Sequence, residues 1–339
     1  MKKENFPSFP AFAKMAAAPA VAPEYLSGIN TFVDMFCGIG AFHLAAASFG
    51  MKCVYACDID DECRKVYQHN YGIKPAGDIT MVTANSIPDH DLFCAGFPCQ
   101  PFSIIGHRKG FSDIRGTLFF EIERILKAKR PKAVLLENVK QLVSHDKGKT
   151  LAKILASLES LGYHVSHRVL NALDLGLPQK RERVIIAATL APFAEAAFPW
   201  PEAKCSMTPL SSILEKRPDK KNLVSERIRK RRMAAHQSNH KPGIWHENKA
   251  GNVSSYPYSC ALRAGASYNY LLVDGERRLT PREMLRLQGF PDSFEIISAD
   301  GQVRKQAGNA VAVPLIVAGL KGVLHVARET KTARELSIA

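Results

Sequence analysis

The 339-residue sequence contains no run of eighteen apolar residues, no C-x-x-C pair among its eight cysteines, and only 32 acidic residues against 46 lysines and arginines. The first absence excludes a segment read from sequence as spanning a bilayer, and predicts a soluble chain. The second argues against structural zinc, whose ligands usually come in close-spaced pairs. Cys53, Cys57 and Cys63 with His69 are the one grouping that suggests a metal, but the first two sit in the strand-like "CVYAC", so no metal is expected. An export signal is lacking too: Pro7, Pro10, Lys14, Pro19 and Pro23 interrupt any apolar signal core. Residues 1–29 therefore read as a flexible extension of a cytoplasmic protein with reduced thiols. The shortage of acids leaves a formal net charge of +14, which calls for a polyanionic partner.

What is present is a globular chain. Apolar residues at 46% and charged residues at 23% exclude wholesale disorder and a fibrous fold, and the length suits one large domain with a smaller companion. From residue 30 strands and helices alternate. "TFVDMF", "KCVYACDID", "HDLFCAGF", "KAVLLENV" and "ERVIIAATL" read as strands, and "HLAAASFG", "DECRKVYQHNY", "GTLFFEIERILKAK" and "TLAKILASLESLGY" as the helices between them. That alternation predicts a doubly wound, mostly parallel α/β sheet, which binds ligands beyond the carboxyl ends of its strands.

Between 204 and 275 the alternation fails. Residues 204–249 hold twelve Lys or Arg against four acids, a net +8, followed by the aromatic "SYPYS" and "GASYNY". This predicts a smaller, mostly irregular or β domain facing nucleic acid, with Arg231 and Arg232 among its contacts. In "RRLTPREMLRLQGF", Thr280 as N-cap and Pro281 at the first helical position announce a helix ended by Gly289. The apolar "AVPLIVAGLKGVLHVAR" is expected to return to the first domain.

Chemistry-bearing residues collect at the predicted strand ends. "DMFCGIGAFHLA" has a G-x-G turn, but His43 replaces the third glycine of a dinucleotide fingerprint, so a ligand without a pyrophosphate fits better. A helix N-terminus suits a carboxylate, and Asp58 at the next strand end suits ribose hydroxyls, a combination that describes S-adenosylmethionine. Cys99 in "CAGFPCQPFS" precedes a loop with His107, Arg108, Lys109 and Arg115, an electropositive setting for a reactive thiolate. Gly106, Gly110 and Gly116 give that loop hinges. Glu137 ends the strand "LLENV", where its surroundings can hold the carboxyl protonated as an acid. Arg181 and Arg183 in "QKRERV" lie two apart on one side of an entering strand, placed to orient an anion or a polar base edge. Each alone also fits a structural role. Together they make a nucleophile, an acid and an anchor.

"FVDMFCGIGAF", "GFPCQPFS", "ENV", "QKRERV", "RRLTPREMLRLQGFP" and "QAGNAVAVPL", in this order, resemble the ordered motifs of the bacterial-type DNA cytosine-5 methyltransferase family over residues 30 to 330. The resemblance implies a Rossmann-like S-adenosylmethionine-binding catalytic domain (30–203 plus 300–330), a target-recognition domain (204–275), a hinge region (276–299) and a tail (331–339). It also implies Cys99 as nucleophile, Glu137 engaging the base at N3 and N4, and Arg181 and Arg183 as helpers. Phe36, Gly38, Gly40, Asp58, Ile59, Asp78, Ile79, Leu118, Asn309 and Val311 would surround the cofactor. Ala41 stands where the family usually has glycine, and Asp58 where many relatives have Glu, one methylene shorter. The expected partner is double-stranded DNA, with no membrane and no obligatory protein partner, the chain acting as a monomer. A tRNA cytosine-5 methyltransferase is the alternative, and the long basic 204–275 segment favours duplex DNA.

Overall fold

The computed structural model of the chain describes residues 28–98, 118–190, 198–202 and 205–338. Cys99, the loop bearing His107, Arg108, Lys109 and Arg115 with its glycines, and the stretch 1–27 lie outside the described residues. The described residues form two compact units: 28–170, 182–202 and 315–338 make the first, 171–181 and 205–314 the second.

The first unit is built on a six-stranded sheet of β1 (Thr31–Met35), β2 (Lys52–Cys57), β3 (Leu92–Gly96), β4 (Ala133–Val139), β5 (Tyr163–Asn171) and β7 (Glu182–Leu190), ordered β2-β1-β3-β4-β7-β5. Strand β1 pairs in parallel with β2 and β3, and β3 with β4. Their near-continuous apolar runs suit strands covered on both faces: Phe32, Val33 and Met35 of β1 and Leu92 to Ala95 of β3 are buried. Between them run α1 (Ala41–Ala47), α2 (Asp61–Tyr71), α3 (Leu118–Lys129) and α4 (Lys149–Ser160). Asp60 caps α2 by accepting from the N–H groups of Glu62 and Cys63, and Gly72 ends it in the left-handed region.

Two features depart from the sequence expectation. Strand β7 runs antiparallel to β4, and β5, unforeseen, closes that edge of the sheet. β5 reads "YHVSHRVLN"; its side chains are mostly half-buried or exposed, so no apolar alternation marks it. The cysteines of "CVYAC" are buried and turned to main-chain carbonyls, Cys53 to that of Tyr55 and Cys57 to that of Gly77. Among the described residues no group of three or more His, Cys, Asp or Glu could hold a metal ion.

The last helix, α8 (Val313–Ile338), runs through the segment expected to be a tail. It returns to the sheet: a Cβ at Gly319 would sit 2.7 Å from Leu135 of β4 and 3.1 Å from Ile185 of β7, so glycine sets the approach. The stretch Asp300–Glu329 is long and apolar enough by length and composition to cross a membrane, but 89% of its apolar window is buried in the protein. It is a core segment.

The second unit contains β6 (Gln179–Lys180), α5 (Glu226–Ala235), β8 (Ile244–Glu247), β9 (Val253–Tyr256), β10 (Ser259–Cys260), β11 (Leu271–Val273), β12 (Arg277–Arg278), α6 (Pro281–Leu287) and α7 (Asp300–Asn309). Four of these strands form a sheet ordered β12-β11-β8-β9, with Val224, Trp245 and Leu272 at its core. Helix α6 begins as its sequence announces: Thr280 and Glu283 make a reciprocal capping box with Pro281 next to the cap. Glu283 is fully buried and also holds Arg277 through both carboxylate oxygens at 2.8 Å.

One expectation about this unit is corrected. Arg232 is fully buried, and its Nη2 donates to Glu247 Oε2 and to the Asn269 carbonyl, both at 2.5 Å. Arg231 is exposed but also donates to both oxygens of Glu247. In the run "RKRR", Arg232 therefore ties α5 to β8 and to the Asn269 turn, and is no DNA contact.

Candidate active site

The glycine turn after β1 takes up left-handed backbone at three positions, two of them glycine. Phe36 adopts φ 55°, Gly38 53° and Gly40 86°, and a Cβ at Gly40 would run into the ring of Tyr71. Tyr71 donates its hydroxyl to the carbonyls of Ile39 and Gly40 at 3.2 and 3.1 Å, and His43 stacks on it at 4.0 Å between ring centres. Burial holds His43 down at about 4, so it is a neutral ring at neutral pH. Beneath lies fully buried Asp34, which accepts from the Tyr67 hydroxyl and is pushed well up by its burial.

Asp58, one residue past β2, is fastened to this turn. Its Oδ2 accepts from the Gly38 N–H at 2.7 Å and its Oδ1 from the Asp60 N–H at 2.8 Å. Burial raises its pKa, against the lowering effect of those two backbone donors. Each oxygen retains a lone pair for a hydroxyl. Ile59 beside it is 73% exposed, and Met81 is 81% exposed, apolar surface where none is needed for the core. Asp78 caps the short turn Ile79–Met81 through the Thr80 N–H, and Ile79 is buried in the core. Leu118 opens α3 and packs against that core. Eight of the ten residues expected around the cofactor thus belong to the first unit, most of them at the ends of β1 and β2. Asn309 and Val311 belong to the second unit, at and just past the end of α7.

A second group forms at the ends of β3 and β4. Gly96 pairs with Glu137 in the parallel register, and Asn138 Nδ2 donates to the Phe97 carbonyl at 3.0 Å, so β4 fixes the chain two residues before Cys99. Glu137 is 7% exposed, and its Oε1 lies 2.8 Å from Nε of Arg183. Antiparallel β7 makes that pair possible by setting Arg183 opposite Val139. Asn138 is a residue the sequence reading passed over, although it sits inside the quoted "ENV".

The two arginines of "QKRERV" have separate partners. The strand breaks at Arg181, whose fully buried guanidinium donates to the carbonyls of Leu262 (2.9 Å), Gly308 (3.1 Å) and Ala310 (2.6 Å). Gln179 does similar work, donating to the Leu287 carbonyl and accepting from the Leu262 N–H. Gly308 explains part of "QAGN": a Cβ there would collide with the backbone of Arg263 and Ala264.

The described residues thus bring a buried acid paired with an arginine to the end of β4, and a glycine turn tied to an aspartate to the ends of β1 and β2. Residues 30–324 match the model of the family described as C-5 cytosine-specific DNA methylase. The chain belongs to this family and is a DNA cytosine-5 methyltransferase. It is similar to Type II methyltransferase M.HaeII of Haemophilus aegyptius, 53% identical over 287 residues covering 84% of this chain and 89% of that protein. It is 52% identical to Type II methyltransferase M.NgoBI of Neisseria gonorrhoeae, over 88% of this chain and 95% of that one. Among solved structures it resembles the Dnmt2 methyltransferase of S. pombe, with a TM-score of 0.65 at 23% identity over 87% of this chain and 98% of the other, a likeness of fold. The family description names DNA, which favours the DNA reading over the tRNA one.

The turn geometry carries a prediction. Gly40→Ala places a side chain in a left-handed backbone, at roughly 1–2 kcal/mol, and against Tyr71 as well. Affinity for S-adenosylmethionine should fall by about tenfold or more, since ~1.4 kcal/mol is tenfold. Calorimetric titration of the purified variant checks this; an unchanged Kd removes the turn from the cofactor site.

Proposed function

We propose that the protein methylates C5 of cytosine within a short specific sequence of double-stranded DNA, with Cys99 as nucleophile, Glu137 as acid and S-adenosylmethionine as methyl donor. The observation that carries the reading is the Glu137–Arg183 pair at the end of β4, beside an Asn138 that anchors the chain leading into "PCQ". Asp58, Gly38, Gly40, Phe36 and Ile59 suit the donor: free carboxylate lone pairs for ribose hydroxyls, and exposed apolar surface for a base. When bound, S-adenosylmethionine would supply an electrophilic methyl carbon, its S–CH3 bond breaking to leave the neutral thioether S-adenosylhomocysteine.

The chain's own residues make C5 nucleophilic. The Cys99 thiolate adds to C6, the C5–C6 π bond breaks, and its electron pair is drawn into the ring. Glu137 passes its proton to N3, and the carboxylate left behind is matched by Arg183 at 2.8 Å. Once C5 carries the methyl group, a base takes the C5 proton, the C6–S bond breaks, Cys99 leaves as thiolate and Glu137 recovers its proton. Because a stacked cytosine presents neither face, the nucleotide must swing out of the duplex, at a cost of a few kcal/mol recovered in the pocket. Arg181 acts as a positioning residue, through the three carbonyls it holds.

The similarity to Type II methyltransferases supports a role in a restriction–modification system or as an orphan modification enzyme. The protein would act in the cytoplasm as a monomer on nucleoid DNA. Bisulfite sequencing of plasmid DNA from cells expressing it should show protected cytosines at one short sequence. Full conversion of every cytosine, with folded protein present, contradicts the reading.

A further inference from the structure

The second unit contains a cleft of about 140 Å³ between the 262–271 segment and the starts of α6 and α7. Four cations line it, Lys221, Arg263, Arg278 and Arg304, against one carboxylate, Asp300. Lys221 Nζ pairs with Asp300 at 2.8 Å, both side chains half-exposed. Among the described residues no carboxylate pairs with the other three. They are held by neutral groups instead. Arg304 lies over the Tyr268 ring at 4.2 Å and donates to the Ala266 carbonyl; Arg278 Nε donates to Asn269 Oδ1 at 2.9 Å; Arg263 lies over the Tyr270 ring at 5.0 Å. Gly308 lets the backbone of Arg263 lie directly on α7, which fixes where that guanidinium starts.

Uncompensated like charges gathered around an open cleft repel one another unless an anion joins them. Rings and carbonyls orient these guanidiniums without neutralising them, so the donors are pre-organised and the charge is left over. We propose that this cleft seats one phosphodiester of the DNA backbone, Arg263 and Arg304 donating to its oxygens while the 57% exposed Tyr268 flanks the sugar. Asp300 competes with that phosphate for Lys221. The proposal rests on the DNA reading above. A phosphate contact carries no sequence information, so this site positions the duplex and does not read it.

The test measures binding of the full-length protein to two short duplexes, one specific and one not, across a range of salt concentrations. Arg263→Gln should lower the slope of log K against log salt by about 0.9, on both duplexes alike. Asp300→Asn should act in the opposite direction and tighten binding to both, by releasing Lys221. A wild-type slope in Arg263→Gln together with unaltered affinity in Asp300→Asn overturns the proposal. So does a loss in Arg263→Gln confined to one base pair, which would make Arg263 a reader of base edges. Competition by millimolar inorganic phosphate with a wild-type DNA slope in Arg263→Gln would mark a free-anion site and overturn it as well. Methyl transfer by the wild-type protein is scored separately. Altered slopes without transfer sink the activity and leave the cleft, whereas transfer with unaltered slopes does the reverse.

Discussion

Cys99→Ala should leave a folded protein that binds DNA and S-adenosylmethionine and transfers no methyl group, a loss on the order of 10⁴-fold or more, as befits removal of a covalent nucleophile. The size follows from the substrate. C5 of cytosine does not attack a methyl carbon on its own, and every gain in reactivity comes from the electron pair that addition at C6 releases into the ring. Nothing else in the described site replaces that addition. Cys94, three residues before Phe97, is fully buried in β3, and its burial pushes the thiol well up, so it offers no thiolate. Cys37 in the glycine turn is buried with its thiol raised in the same way. Single-turnover transfer of a labelled methyl group checks the prediction; appreciable turnover by the alanine variant assigns the nucleophile elsewhere.

Glu137→Gln should retain DNA and cofactor affinity and lose about 10²- to 10⁴-fold in kcat, the range for a positioned acid. The glutamine keeps the shape of the side chain at the end of β4, so the loss reports the proton. It also removes the carboxylate that forms once the proton has passed to N3, so the Arg183 guanidinium 2.8 Å away, itself only 14% exposed, has no charge to match in that state. Part of the loss is therefore positional. Arg183→Lys, which keeps a cation but lacks the planar Nε donor, separates the two: it should cost less than Glu137→Gln. An unchanged kcat in Glu137→Gln removes Glu137 from the mechanism.

Much of this was legible in the sequence because local signals carry it. The alternation of apolar runs and amphipathic helices reveals β1 to β4 and the helices between them, and Thr280–Pro281 marks the start of α6 with its capping box. Order of motifs along the chain points to the family. What stayed hidden depends on contacts between distant residues. Strand β5 has too polar a face to announce itself, and no pattern in "ERVIIAATL" tells that it runs against β4. Arg231 and Arg232 are neighbours of one composition, yet one is exposed and the other buried on Glu247. The spacing of Arg181 and Arg183 places both on one side of a strand to orient an anion or a polar base edge, whereas the strand break at Arg181 sends one to Leu262, Gly308 and Ala310 and the other to Glu137. The cationic cleft draws on residues from 221 to 304, a grouping that only the fold creates.

The central claim, covalent methylation at C5, is tested most directly with duplex DNA carrying 5-fluorocytosine at the target position. Fluorine cannot leave as a proton does, so the reaction should stop after methyl transfer with Cys99 still bonded to C6. The account predicts a protein–DNA adduct that survives denaturation, forms only with S-adenosylmethionine, and is absent for Cys99→Ala. An adduct formed by Cys99→Ala, or methylation of the normal duplex with no trapped adduct on the fluorinated one, would contradict it.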